Sequence, residues 1–208
     1  QSRSSAASDV YKRQPYYFAL APNRDLTITP HIFTSVLPML GAEYRQLTET
    51  GALRVIGYGT YSRRSDEVLD SGETVNSERS FRGYIDAVGR FQLDPNWSVS
   101  GSLRLQTDDT FLRRYDISRE DRLRNNLKVE RIDENSYLSI HGWAVQTMRT
   151  GDNQKMQPIA LPAIDYRRRI EGIAGGVLQL QANSLALFRQ EGQDCLLYTS
   201  DAADDLLC

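Results

Sequence analysis

Between Phe81 and Leu93 the chain alternates without a slip. Phe81, Gly83, Ile85, Ala87, Gly89, Phe91 and Leu93 fall on one face of an extended strand, and Arg82, Tyr84, Asp86, Val88, Arg90 and Gln92 on the other. The next segment repeats the pattern, with Trp97, Val99, Gly101, Leu103 and Leu105 set against Ser98, Ser100, Ser102, Arg104 and Gln106. Asp94-Pro95-Asn96 between them has the composition of a tight turn. A period of two held this long does not fit a helix. The two segments therefore read as a long antiparallel hairpin with one apolar and one polar face.

The same logic predicts strands over 26–33, 39–48, 52–62, 125–132, 137–147, 159–169 and 174–188. Many approach the ~9–11 residues that carry a tilted strand across a bilayer, and no run of about 18 apolar residues offers a transmembrane helix instead. The connections alternate in length. Short turns fall near Pro22–Arg24, Glu49–Gly51, Asp94–Asn96, Asp133–Ser136 and Glu171–Gly172, and long polar loops at Ser62–Ser80, Thr107–Asn125 and Arg149–Met156. Only the loop after Ile32 is shorter than its place in the series suggests. This rhythm is that of an outer-membrane barrel. A bilayer supplies no water to satisfy backbone groups, so strands persist there only in a closed ring, apolar outside and free to be polar within. The expected fold class is all-β: an antiparallel transmembrane β-barrel wall, a partial barrel of about ten strands open at both edges. Trp97, Tyr137 and Phe111 are candidates for an interfacial aromatic girdle, with ordinary sheet packing as the alternative.

Both ends read as foreign to this pattern. Ser4–Gln14 (SSAASDVYKRQ) and Cys195–Asp204 (CLLYTSDAAD) back-translate to opposite strands of one DNA, as a sequencing adapter translated in frame would. Residues 1–14 and 195–208 are accordingly set apart from the barrel-like segment 15–194, itself expected to be an internal part of something longer. Both cysteines, Cys195 and Cys208, go with the second tail, so cysteine usage says nothing about redox compartment. Setting the tails aside leaves 22 of the 25 Lys and Arg and 23 of the 27 Asp and Glu, a net charge of −1. There is no basic excess to recruit nucleic acid.

Catalytic signatures are lacking. His31 and His141 are far apart in sequence, and HExxH, CxxC, GxSxG and phosphate-loop patterns are absent. No enzyme activity, cofactor or metal is expected; Asp108-Asp109 alone is no calcium pattern. Gly57 and Gly59 sit two apart on one strand face, which suits small residues beside large neighbours better than a cofactor loop. The polar strand faces direct Arg82, Asp86, Arg90 and Arg104 toward the interior of the expected barrel, to line a hydrated lumen, contact a plug or pair with one another. The loop Thr107–Asn125 interleaves Arg113, Arg114, Arg119, Arg122 and Arg124 with Asp116, Glu120 and Asp121. Phosphates of an anionic glycolipid would suit the arginines, but a solvated loop of mixed charge is the favoured expectation.

Pro15–Pro30 (PYYFALAPNRDLTITP) places Leu26 and Ile28 on one strand face and Thr27 and Thr29 on the other, with Ile32 and His31 continuing the two rows, yet carries prolines at 15, 22 and 30. Proline donates nothing to a ladder, so such a strand belongs at an edge, turn or seam. This segment resembles the opening barrel strands of the LptD family of lipopolysaccharide-assembly outer-membrane proteins (also OstA or Imp), with the pattern P-Y-Y-[FW]-x-[IL]-A-P-N-x-D-x-T-[IL]-T-P. The likeness continues through GAEYR (41–45), the 81–117 block and LPAIDYR (161–167). It implies a location in the cell outer membrane and lipopolysaccharide as the cargo, delivered to the outer leaflet through a lateral gate. It also implies an LptE-like lipoprotein plug, and a periplasmic Lpt bridge reached through a jellyroll not in this chain. Pro15 and Pro30 match the two family prolines beside that gate. A porin or receptor barrel passing small solutes, or a soluble all-β binding domain, is the alternative that residue patterns alone leave open.

Overall fold

The computed structural model describes residues 10–34, 37–63, 67–68, 74–75, 79–149, 152–173 and 175–191. Residues 1–9 of the expected adapter-derived stretch 1–14, all of 195–208, and much of the Ser62–Ser80 loop lie outside the described residues. Eleven strands form one antiparallel sheet: β1 (Val10–Arg13), β2 (Tyr16–Ala21), β3 (Arg24–Phe33), β4 (Met39–Leu47), β5 (Gly51–Arg63), β8 (Arg79–Gln92), β9 (Trp97–Gln106), β10 (Arg122–Ile132), β11 (Ser136–Thr147), β12 (Ile159–Ile173) and β13 (Gly176–Phe188). Two short strands, β6 (Glu67–Val68) and β7 (Thr74–Val75), pair with each other in the loop between β5 and β8. Each long strand pairs with its neighbours in sequence, from β3 through to β13. Among the described residues the sheet does not close: β1 and β2 stand at one edge and β13 at the other. This is the barrel wall the alternation predicts.

Registers fix the two faces. Phe81 pairs with Tyr61, Ile85 with Gly57 and Leu105, and Ala87 with Val55 and Leu103, so one row of apolar and small side chains crosses β5, β8 and β9. Leu127 extends this face opposite Gly101 and Gly142. Leu40, Tyr61, Phe81, Leu103 and Leu127 are all exposed on it. The opposite face is polar and laced with ion pairs, including Arg45–Asp25 at 2.9 Å and Arg54–Glu43 at 2.7 Å. Trp97 belongs to the apolar face, with the Arg131 guanidinium 5.8 Å from its ring. Tyr137 does not: its hydroxyl donates to Glu130 at 3.0 Å on the polar face, so it is no girdle residue. Phe111 is not one either, being fully buried.

Four of the short turns grip the strand beyond their own hairpin. Leu47 N donates to Asn23 O at 2.8 Å, Gln92 N to Thr50 O at 2.6 Å, Ile132 N to Asn96 O at 2.9 Å and Arg169 N to Asn135 O at 2.8 Å. The repeated step staggers one hairpin against the next, as a tilted barrel wall requires. At Gly51, where β5 leaves its turn, a Cβ would lie 2.0 Å from Arg90 O, so only glycine lets β5 approach β8 so closely. Gly172 and Gly175 take φ of +84° and +76° at the β12–β13 turn, the left-handed region that glycine enters without strain.

Candidate functional site

At the β1/β2 edge the expected proline effect has a definite geometry. Arg13 pairs with His31, and Tyr16 with Ile28. Between those pairs the register is unchanged, so β1 and β2 are two parts of one line laid along β3. Only Gln14 and Pro15 lack strand geometry, and they fall across from Pro30 and Thr29. Pro15 therefore occupies the break itself. Pro30 stays inside β3, paired with Leu40 of β4, and donates no ladder hydrogen bond to either side. The Leu47 N to Asn23 O bond sets the alternation of β3, so the donor that Pro30 lacks would face the edge strand at Gln14, and the donor that Pro15 lacks would face outward from the edge.

Arg82, Asp86, Arg90 and Arg104 share the polar face, as alternation predicts. The structure brings three of them into use. Arg104 contacts Asp86 at 3.5 Å and Glu120 at 2.5 Å, and its Nε donates to the Tyr84 hydroxyl at 3.1 Å. Arg82 is 1 % exposed and faces Asp108, directly across from it at the end of the β8–β9 hairpin. Arg82 Nε donates to Asp108 Oδ2 at 2.7 Å, and Nη2 to Asp108 Oδ1 at 2.6 Å and to Thr110 Oγ1 at 2.8 Å. Thr110 in turn donates to Asp108 through both its backbone N–H and its hydroxyl. Arg90 lies exposed on the same face, apart from this group.

The segment after β9 departs from expectation. Residues 107–121 are not a solvated loop of mixed charge. They fold onto the polar face as a compact cap containing one short helix, α1 (Phe111–Arg114), whose Phe111 and Leu112 are buried. Together with Tyr115 they pack against Phe33, Met39, Tyr84, Leu123 and Met148. Tyr115 stacks at a tilt on Phe33 with ring centroids 5.3 Å apart, and its hydroxyl lies 3.4 Å from Ser62 Oγ. Arginine charge stays on the cap's rim, where Arg113 pairs with Asp121. Direct pairing of β9 with β10 runs only from Trp97–Arg131 to Ser102–Asn126, and β10 begins at Arg122 rather than 125. Beyond that level side-chain amides replace the ladder: Asn125 Oδ1 accepts from Arg104 N at 2.6 Å and Gln146 Oε1 from Gln106 N at 3.0 Å. The cap was hard to see because Phe111, Leu112, Tyr115 and Ile117 are punctuated by Arg113, Arg114 and Asp116. Their spacing over a single helical turn was the available signal.

Electrostatics holds the cap's first residues. Burial pushes the Asp108 carboxyl up, but its hydrogen bonds to Arg82 and Thr110 outweigh that and hold it at about 2, below the ordinary 3.8. A carboxyl depressed in the folded state adds stability above its unfolded pKa, and loses it as pH falls through the folded value. The cap is therefore expected to loosen between about pH 4 and pH 2. Hydrogen exchange of residues 109–117 should accelerate over that window, while an Asp108→Asn variant shows no such step.

Among the described residues no cluster of His, Cys, Asp and Glu is arranged to hold a metal. Residues 80–194 match the family model for LptD, LPS transport system D. An LPS-assembly protein LptD of Polaromonas sp. is 26 % identical over 189 residues, covering 89 % of this chain and 21 % of the relative. That of Cupriavidus pinatubonensis is 45 % identical over 65 residues, 31 % of this chain and 7 % of the relative. That of Psychrobacter arcticus is 60 % identical over 35 residues, 17 % of this chain and 4 % of the relative. The chain thus spans about a fifth or less of the length of these relatives.

Proposed function

The chain belongs to the LptD family, and on that premise we propose that it forms the opening part of an outer-membrane barrel that delivers lipopolysaccharide to the outer leaflet through a lateral gate. The observation that carries this reading is the thinned bonding at the sheet edge, where Pro30 removes a donor that would face the edge strand and Pro15 removes one that would face outward from the edge itself. A seam bonded this loosely parts at lower cost than a complete ladder, wide enough for a bulky amphiphile. The work is translocation; no bond in the cargo is made or broken.

The faces support the membrane setting. A wall whose apolar side exposes Leu40, Tyr61, Phe81, Leu103 and Leu127 suits hydrocarbon, where backbone groups must be satisfied within the sheet. The polar side, with Arg82, Asp86, Arg90 and Arg104, then lines the lumen, where an LptE-like lipoprotein plug would sit. A periplasmic Lpt bridge would feed cargo from below, through a domain outside this chain. Residues 1–14 are read as adapter-derived, so β1 stands where native strand residues would precede Pro15. A ladder recognises backbone rather than side chains, which lets a foreign segment take that place.

A complete barrel carrying this segment, extracted in detergent, should copurify with lipopolysaccharide and an LptE-like lipoprotein. A solute-passing porin would retain neither, and that outcome would refute the transport reading.

A further inference from the structure

Where the wall meets the short turn at 133–135, its outward face is graded. Val129, Ile140 and Ile164 pair across β10, β11 and β12 as one apolar row. One step nearer the turn stand Arg131, Leu138 and Tyr166, with Trp97 of β9 paired to Arg131. A further step places Arg168 opposite Ser136, at the foot of the turn. Arg131, Glu134, Tyr166 and Arg168 all line one recess of about 570 Å³. Arg131 and Arg168 lie two strand spacings apart, about 10 Å, so both guanidiniums can reach one anion between them.

Charge in the recess is ordered as well. The Asp133 carboxylate is committed to the turn: it pairs with Arg131 Nη2 at 2.8 Å, and accepts from Ser136 Oγ at 2.9 Å and from Asn96 Nδ2. Arg131 keeps further donors, and the Trp97 ring lies 5.8 Å from its guanidinium carbon. Among the described residues Arg168 has no carboxylate partner. Glu134 is exposed at the tip of the turn, beyond both arginines. Outward from the hydrocarbon level the wall thus presents apolar side chains, then two guanidiniums, then a carboxylate. A membrane phospholipid that ends in an amine presents acyl chains, phosphate and ammonium in the same order.

We propose that Arg131, Tyr166, Arg168 and Glu134 hold the phosphoethanolamine head of one glycerophospholipid on the outside of the wall. The guanidiniums take the phosphate, the Tyr166 hydroxyl donates to it, and Glu134 meets the ammonium. The acyl chains lie along Val129, Ile140 and Ile164. Short turns mark the periplasmic rim of outer-membrane barrels, so this lipid belongs to the inner leaflet. The site rests on the outer-membrane wall of the proposed function and not on its lateral gate.

The test uses the complete barrel carrying this segment, freed of lipid in detergent and titrated with short-chain lipids by native mass spectrometry. Phosphatidylethanolamine should bind about tenfold more tightly than diacylglycerol of the same chains, which lacks the phosphate. Arg131→Gln with Arg168→Gln should erase that preference, and Arg168→Gln alone, which breaks no ion pair, should weaken binding about threefold. Phosphatidylglycerol, without the amine, should bind about threefold more weakly than phosphatidylethanolamine, a gap that Glu134→Gln should close. Equal binding of phosphatidylethanolamine and diacylglycerol by the parent, or a preference that survives in the double variant, overturns the site. A gap that stays open in Glu134→Gln overturns the amine contact. Displacement by inorganic phosphate at equal concentration would make this a free-anion site, and tighter binding of lipopolysaccharide would make it a cargo contact; either overturns the phospholipid assignment. A parent barrel that copurifies with no lipopolysaccharide removes the transport reading, and the titration still decides the lipid site.

Discussion

Pro15→Thr and Pro30→Val, introduced together into a complete transporter carrying this segment, should slow the arrival of new lipopolysaccharide at the cell surface by about tenfold. Pro30→Val returns an N–H that faces the edge strand and Pro15→Thr one that faces the strand closing against that edge, and a hydrogen bond regained in a ladder contributes about 0.5–1.5 kcal/mol. Two together shift an opening equilibrium by roughly 1–3 kcal/mol, a factor between about 5 and 150. Threonine suits position 15, across from Thr29 on the polar face, and valine suits position 30, beside Leu40 on the apolar face. Pulse-labelled lipopolysaccharide, assayed by its accessibility to an outside modifying enzyme, gives the rate directly. Each single variant should fall between the parent and the double. Delivery at the parental rate in a stably inserted double variant would remove the prolines from the gate.

The second large effect concerns Asp108. Its replacement by alanine withdraws the carboxylate that grips Arg82 at two points, where Arg82 is 1 % and Asp108 8 % exposed. Breaking a buried pair from one side costs about 3–5 kcal/mol, because desolvation of the surviving charge is no longer offset. Asp108→Ala should therefore lower the thermal unfolding midpoint markedly, followed by the gel shift that separates folded from heat-unfolded barrel. The double variant Arg82→Met with Asp108→Leu removes both charges and should recover most of the loss. If the single and double variants prove equally unstable, the loss comes from packing around Phe111 and not from the charge pair.

Strands were legible because their period was strict. Phe81–Leu93 and Trp97–Gln106 lie where alternation puts them, and Asp94–Asn96 turns between them. The prolines were legible as ladder-breakers, since proline lacks a donor in any context. That Pro15 and Pro30 fall at one level depends on the β1/β2–β3 register, which is set by the turn at Pro22–Asn23 and cannot be had from either proline alone. The cap was misjudged for a physical reason. Its apolar residues are few and its charges many, so a composition argument points to solvent. What buries it is a pairing across the hairpin end, Arg82 with Asp108, and the aromatic floor of Phe33, Tyr58 and Tyr84 supplied by β3, β5 and β8. Tyr137 and Phe111 were misplaced likewise: an aromatic near a turn or loop does not reveal its face until the register is known.

The proline that opens the edge before β2 has a further consequence during assembly. Because each strand pairs with its neighbour in sequence, the wall can zip up one hairpin at a time, and each new strand covers the edge left by the last. The edge at β1/β2 is the one that waits. A long, continuous strand left waiting is a template for any extended peptide that drifts by. Here Pro15 takes one donor out of the exposed row, and β2 beside it is only six residues long, a poor match for a stray strand. The residues that loosen a finished seam would also keep an unfinished one from recruiting the wrong partner.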